Sequence, residues 1–507
     1  MAQTKTAKSI INPSQTYQYV DDGNPKQGGM KDVFFSPDKK YVVALYRDAQ
    51  DHTSKERLKK IATQYYKSFF ERDGGEFYEN LYSWPTDVIE SNGQTGIIVP
   101  FFNKDFFFKK GFANNDILKG VEKDGKWFAS AKFRVKNSSS KLDPSELGDW
   151  LSYFQICVNI ARGVKRLHAA GLAHSDLSYK NVLIDPLTKK AAIIDIDGLV
   201  VPGLFPPDVI GTADFIAPEV IATKSLPRDH PNRKLPRRET DLHALAVLIY
   251  MYLFYRHPLR GGNYFGVLDT QDEEDQLMGE KALFVEHPTD DSNRNFKREY
   301  GGNLEKFKPW TDLDALPYTI AGPYMKELFD QAFIEGLHKP DRRPPADSWE
   351  QALIKTNDLK LKCANGRCEQ GWFIYNNTKK TFCPFCKTQY NSSIPVLDFY
   401  YKFKEDTWKP SNMRLVLYHN STLHQWHSNR KVIRNERLTA PMKKPVGYVS
   451  LHNGKWLFVN QTLGDLKDVT EDKLIKIGSS VELTDGKKLL LSGKDDGHVA
   501  IVSLANT

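Results

Sequence analysis

One run of residues constrains this chain more than any other. His174-Ser175-Asp176-Leu177-Ser178-Tyr179-Lys180-Asn181 sets a carboxylate and a carboxamide five residues apart, and Asp195 follows fourteen residues after Asn181, at the end of the apolar run AAIID. A helical pattern, VNIARGVKRLHAAG, leads into this run, and the strand-like NVLI, Asn181–Ile184, leads out of it. Phosphoryl transfer needs little covalent help from a protein. It needs a carboxylate to orient the attacking hydroxyl, ligands for a metal ion, and cations on the phosphates. Acids that merely cap turns are the plain alternative, and meeting both spacings argues against it.

The chain has 507 residues, more than one hydrophobic core usually fills, so two to four domains are expected. Its net charge of +8 is spread out, and the basic runs LPRDHPNRKLPRR and KKPVGYVSLHNGKW are short and Pro-broken, which argues for solvated surface and against nucleic acid. The longest apolar run, Leu242 to Tyr255, contains His243 and is too short to span a bilayer, and the N-terminus lacks a signal-peptide core. Five cysteines, four of them in two close pairs, do not make a secreted disulfide framework, so a cytoplasmic protein without a membrane partner is expected.

The patterning predicts an α+β chain. Residues 1–20 read as a flexible leader, and 21–102 as a strand-rich lobe with one helix, Ser54 to Phe70, capped by Ser54. Residues 103–360 read as a mainly helical lobe with an insertion at about 103–147. A cysteine segment follows at 361–391, and 392–507, with its Asn453-Gly454 and Asp485-Gly486 turns, reads as a small all-β sandwich.

The Asp176–Asn181 run resembles the protein-kinase catalytic loop H-R-D-x-x-x-x-N, which implies a bilobal kinase-like fold with Asp176 as catalytic base and Asn181 as a Mg2+ ligand. Asp195-Ile196-Asp197-Gly198 resembles the D-F-G metal-binding step with its glycine one residue late. Asp195 is then the second Mg2+ ligand, and Asp197 a further candidate. Gly211-Thr212-Ala213-Asp214-Phe215-Ile216-Ala217-Pro218-Glu219 is similar to the end of an activation segment. By the same resemblance, Asp241 braces the catalytic loop and Arg343 pairs with Glu219. Ser175 replaces the usual arginine, and the stretch between Gly198 and Gly211 has no Ser, Thr or Tyr, so phosphorylation of that stretch is not expected to switch the chain on. Thr212 sits where such kinases read the substrate.

The strand lysine of kinases is missing. Aligning Val43-Ala44 with V-A-x-K places Tyr46 at the lysine. Upstream, Gly28-Gly29-Met30-Lys31-Asp32-Val33-Phe34 resembles the glycine-rich loop with Lys31 on its third glycine, as in kinases that relocate this cation. Gly28, Gly29 and Lys31 are therefore assigned to the phosphates, with Arg47 as the next cation. Glu56 is the expected ion-pair partner of the lysine, and Ala44, Ile98, Val99 and Phe101 are expected around adenine.

Cys363-x4-Cys368 and Cys383-x2-Cys386, fourteen residues apart, have the spacing of a closed, structural zinc ribbon, with a redox role as the alternative. The C-terminal stretch resembles forkhead-associated domains in its Trp456-x3-Asn460 strand and Leu483-x-Asp485-Gly486 turn. His427 and Arg430 are the available phosphopeptide readers, and a sandwich that binds protein without phosphate is the simpler expectation. Together these segments resemble a bacterial kinase group found in tellurite-resistance and stress systems with a von Willebrand A-type protein and a metal-dependent protein phosphatase. The resemblance implies an ATP-, Mg2+- and zinc-containing serine/threonine kinase acting on a protein substrate. A pseudokinase scaffold and a protein nucleotidyltransferase are the competing readings.

Overall fold

The computed structural model describes every residue except 1, 72–73, 202–203, 208, 264–265, 267–269, 302, 377–379, 405–406 and 506–507. It divides into two compact units: residues 1–148, 152–313 and 328–350, and residues 149–151, 314–327 and 351–507.

The first unit opens with β1 (Gln3–Ser9), β2 (Thr16–Asp21), β3 (Lys26–Gln27), β4 (Lys31–Phe35) and β5 (Tyr41–Tyr46). Helix α1 (His52–Lys60) follows and runs on through a wider turn, then β6 (Asp87–Ser91) and β7 (Gln94–Pro100). All seven strands form one antiparallel sheet in the order β2-β1-β6-β7-β5-β4-β3. The expected flexible leader is thus a hairpin of this sheet. Its polar alternation, TKTAK, hides a strand whose pairing comes from the backbone. Ala7 and Tyr19 are buried, and Asp87 accepts from Ser9 Oγ and Tyr17 Oη, each at 2.9 Å.

Period-2 burial sorts β5 between two layers. Val43 and Leu45 pack with Phe34, Ile89 and Ile98, while Ala44 and Tyr46 face Leu58 and Ala62 of the α1 segment. Asn92 and Gly93, both at positive φ (52° and 82°), close the β6–β7 hairpin as a primed turn requires. The α1 cap is Asp51 rather than Ser54: its carboxylate accepts from Ser54 N at 2.7 Å, so the helix starts earlier than predicted.

Beyond β7, residues 103–147 are not an excursion. Phe106, Phe108 and Phe128 are buried, and Lys123, fully enclosed, pairs with Glu146 at 2.8 Å and Asp185 at 2.7 Å. Two of the segment's charged residues, Lys123 and Glu146, thus belong to an internal ion cluster. Helix α2 (Trp150–Ala169) leads to the two-stranded β8 (Val182–Asp185) and β9 (Lys190–Ile193), and α3 (Arg238–Phe254) is buried on nearly every face, as its unbroken apolar run predicts. Arg343 makes the expected bidentate pair with Glu219, at 2.8 and 2.7 Å.

The second unit contains β10 (Lys360–Lys362) and β11 (Trp372–Ile374), an antiparallel pair, and then a sandwich. One sheet comprises β12 (Ile394–Lys404), β13 (Thr407–Val416), β17 (Lys467–Asp468), β18 (Lys473–Leu474), β20 (Lys488–Leu490) and β21 (His498–Ala505). The other comprises β14 (Thr422–His424), β15 (Pro445–His452), β16 (Lys455–Asn460) and β19 (Ser480–Glu482). Leu397, Phe399, Val449, Phe458 and Val502 share the core between them. Asn460, fully buried, ties down the following loop by donating to Leu463 O and Ile475 O at 2.8 and 2.9 Å. His427 is 2% exposed and stacks on Phe399, so its ring belongs to the core rather than to a peptide-reading surface.

Replacing Lys123 by Met should strand Glu146 and Asp185 as uncompensated buried acids. Chemical denaturation should show a loss of about 3–5 kcal/mol.

Candidate active site and cysteine cluster

The catalytic-loop run is held by one buried carboxylate. Asp241, in the first turn of α3 and 1% exposed, accepts from His174 N at 2.7 Å and Ser175 N at 3.0 Å, with His168 Nε2 at 3.1 Å. Ser175 sits at φ 70°, and the two backbone bonds stabilise this left-handed conformation. His174 Nε2 donates to Ile194 O at 2.9 Å, tying the loop to the residue before Asp195.

Asp176 and Asn181 converge as their spacing predicts. Asn181 Nδ2 donates to Asp176 O at 2.8 Å and to Oδ2 at 2.9 Å, which leaves its carbonyl Oδ1 as the atom that could hold a metal ion. Thr212 gives Asp176 Oδ1 two bonds, from its N at 2.6 Å and its Oγ1 at 2.8 Å. The Asp176 carboxylate is therefore fixed in orientation by three donors.

These groups form the floor of a 420 Å³ cleft whose roof is the β3–β5 sheet. Gly28, Gly29 and Lys31 line it, as do Ala44, Val99 and Phe101, and Asp176, Asn181 and Asp195 lie across from them. Its size and its mixture of apolar walls with a few convergent polar groups suit a ligand of nucleotide dimensions. Ile97 takes the place expected for Ile98, which points into the opposite layer of the sheet. The sequence reading missed Lys26 and Glu122, which also line the cleft and form an ion pair at 2.5 Å. No motif marks Glu122, because its place depends on how residues 103–147 fold.

The cations fall differently from the first expectation. Lys31 Nζ lies 2.8 Å from Asp195 Oδ1 and 2.7 Å from both oxygens of Asp197. Glu56 is not its partner: it lies on the wet face of α1 and pairs with Lys59 at 2.9 Å. Arg47, the alternative cation, bonds Asp32 Oδ1 at 3.0 Å and the carbonyls of Gly28 and Gly29, closing the glycine turn from outside. Tyr46 Oη donates to Asp197 Oδ2. Burial disfavours the charge on Lys31, but Asp197 and Asp195 together hold the ammonium above the usual lysine range. Asp197 is also buried, yet Lys31 keeps it below the usual carboxylate range; burial and Asp197 push the Tyr46 phenol up, so it stays a donor. The Asp195 side chain is 49% exposed and that of Asp197 only 7%. Asp195 and Asn181 therefore offer a divalent cation oxygen ligands open to the cleft, whereas Asp197 is committed to Lys31 and Tyr46.

In the second unit, the sulfurs of Cys363, Cys368, Cys383 and Cys386 all lie within 4.8 Å of one another. Two of the separations, Cys363–Cys386 and Cys368–Cys383, are 3.5 and 3.9 Å. A tetrahedral zinc with Zn–S bonds of about 2.3 Å sets its sulfurs about 3.8 Å apart, so the cluster fits such an ion. The first pair hangs from the β10–β11 hairpin through Cys363 N to Gly371 O at 2.8 Å. Phe385, beside the second pair, packs edge-on against Trp150 at 5.0 Å.

Residues 145–300 match the protein kinase domain family. The dual serine/threonine and tyrosine protein kinase of Apis mellifera is 32% identical over 73 residues, 14% of this chain and 7% of that protein. Serine/threonine-protein kinase PkaB of Streptomyces coelicolor is 31% identical over 124 residues, 22% of this chain and 27% of that protein. Serine/threonine-protein kinase RAD53 of Saccharomyces cerevisiae is 27% identical over 143 residues, 27% of this chain and 16% of that protein. The chain thus spans less than a third of the length of these relatives. The matched span contains the Asp176–Asn181 loop, Asp195 and Asp241, whereas the roof of the cleft, from Lys26 to Phe101, lies outside it.

Cys383→Ser should lower the zinc content of the purified chain from one ion towards none and lower the melting temperature of the second unit. Elemental analysis and calorimetry of the same sample check both.

Proposed function

We propose that this chain is an ATP- and Mg2+-dependent serine/threonine protein kinase that transfers the γ-phosphoryl group to a protein hydroxyl. The observation that carries this reading is the convergence of Asp176, Asn181, Asp195 and Lys31 on one cleft with an apolar far end at Ala44, Val99 and Phe101. Adenine stacks in that apolar end, and Lys31 meets the phosphates from the sheet side. Mg2+, held by Asn181 Oδ1 and Asp195, supplies charge neutralisation of the phosphates when bound. Asp176, oriented by Thr212 and Asn181, accepts a hydrogen bond from the substrate hydroxyl and takes its proton as that oxygen bonds the γ-phosphorus and the bond from this phosphorus to the β–γ bridging oxygen breaks, with ADP as the leaving group. Thr212, on the catalytic carboxylate, is placed to select Ser and Thr hydroxyls.

The same reading extends to the cell. The resemblance to tellurite-resistance and stress kinases makes a von Willebrand A-type protein and a metal-dependent phosphatase the partners to test, in the cytoplasm. No helix among the described residues is long and apolar enough to cross a membrane. Zinc in the cysteine cluster holds the second unit's first segment together, and the sandwich, with His427 internal, docks protein without reading phosphate.

Incubation with Mg2+ and ATP labelled at the α or γ phosphate separates the three activities. γ-Label on protein is expected; α-label identifies a nucleotidyltransferase, and no label a scaffold. Lys31→Ala should reduce γ-transfer at least 100-fold with the fold retained by circular dichroism, at a lowered melting temperature because Asp197 loses its cation. Persistent transfer refutes Lys31 as the phosphate cation. Thr212→Ala should preserve folding and depress trans-phosphorylation, measured against a generic Ser/Thr protein substrate.

A further inference from the structure

Two departures from the kinase pattern, Tyr46 for lysine and Asp197 for glycine, meet in space. The antiparallel register of β4 and β5 sets Lys31 directly opposite Tyr46, and the Lys31 ammonium lies 5.4 Å from the Tyr46 ring centre. The Tyr46 hydroxyl donates to Asp197 Oδ2, and Asp197 takes Lys31 Nζ on both oxygens at 2.7 Å. A lysine on a four-carbon stem has many rotamers, and a phosphate contact made by such a group must first order it. Here the ring, the phenol and the carboxylate order it before any nucleotide arrives. A metal at Asp197 would have to displace both partners, whereas Asp195, half-exposed, gives Lys31 only its Oδ1, at 2.8 Å, and keeps its other oxygen for a metal.

We infer that Tyr46 and Asp197 are positioning residues that hold Lys31 Nζ at the phosphate end of the cleft, and that Asp197 anchors this lysine rather than a metal ion. This rests on the reading of Lys31 as the phosphate cation. Tyr46 is then part of the solution to the missing strand lysine: it occupies that residue's position and, through Asp197, fixes its replacement from the neighbouring strand.

A double-mutant cycle on the full chain tests this, read as the affinity for a Mg2+-bound, non-hydrolysable ATP analogue by calorimetry, with melting curves as the check on folding. Tyr46→Phe keeps the ring and removes only the hydroxyl. It should weaken binding about tenfold, the scale of a lost hydrogen bond to a charged group. Lys31→Met should weaken it at least as much, and the double variant should bind no worse than Lys31→Met alone, because Tyr46 acts through Lys31. Asp197→Asn should behave as Tyr46→Phe does while leaving the Mg2+ concentration for half-maximal binding unchanged, whereas Asp195→Asn raises it. Additive losses in the double variant, wild-type affinity in Tyr46→Phe, or a raised Mg2+ requirement in Asp197→Asn overturns the inference. Wild-type affinity in Lys31→Met instead overturns the phosphate-cation reading beneath it. Should Tyr46→Phe melt early, Asp197→Asn takes its place in the cycle.

Discussion

The cleft depends on one ionic contact, that between Lys31 and the two acids of the Asp195–Asp197 step. Lys31, Asp197 and Tyr46 are largely buried there, where an unpartnered charge would be costly, and Asp195 is half-exposed beside them. Each is compensated: Asp197 by Lys31 and Tyr46, Lys31 by Asp197 and Asp195, and Asp195 in part by solvent. Because Lys31 belongs to the roof sheet and both acids to the floor, this contact also sets where roof and floor meet. Loss of any member would change both the electrostatics of the cleft and its shape.

A second layer of carboxylates, buried except for partly buried Glu219, supports this arrangement. Asp241 fixes the backbone of the catalytic loop through two N–H groups, Asp185 and Glu146 enclose Lys123, and Glu219 receives Arg343 in a two-bond fork. Each pairing links segments far apart in the chain. In each case a charge that would be expensive alone becomes a geometric constraint once its partner arrives. The residues of the cleft are therefore held by elements whose own positions are fixed, which is how a loop such as His174–Asn181 keeps a defined geometry.

The sequence disclosed local chemistry well. The Asp176–Asn181 spacing, the acid at Asp195 and the four cysteines were legible because each motif is short and its geometry follows from a turn or a strand end. The apolar α3 and the alternating β5 were legible for the same reason. What escaped it were long-range partnerships. Glu56 was the natural acid to offer a lysine, since it sits on the nearest helix, but helical phase turns it to water and Asp197 takes its place. The first twenty residues read as a leader because their strand alternation is polar; their order comes from pairing with β6 and from hydrogen bonds to Asp87. Glu122 and Lys26, side by side at the cleft, carry no sequence mark at all.

By itself the sequence determined the kinds of group available to this chain: a carboxylate and a carboxamide five residues apart, a further acid at Asp195, a lysine in a glycine turn, four thiols, and a tyrosine where a lysine was expected. Those follow from covalent order and from periodicities of two and 3.6 residues. Only the tertiary structure decided which acid meets which cation. Cross-strand register put Lys31 opposite Tyr46, and the left-handed turn at Asp195, φ 62°, separated an exposed carboxylate from a buried one two residues on. Charge partnerships in a low-dielectric cleft depend on distances of a few ångströms between segments more than 150 residues apart, and no local pattern encodes them.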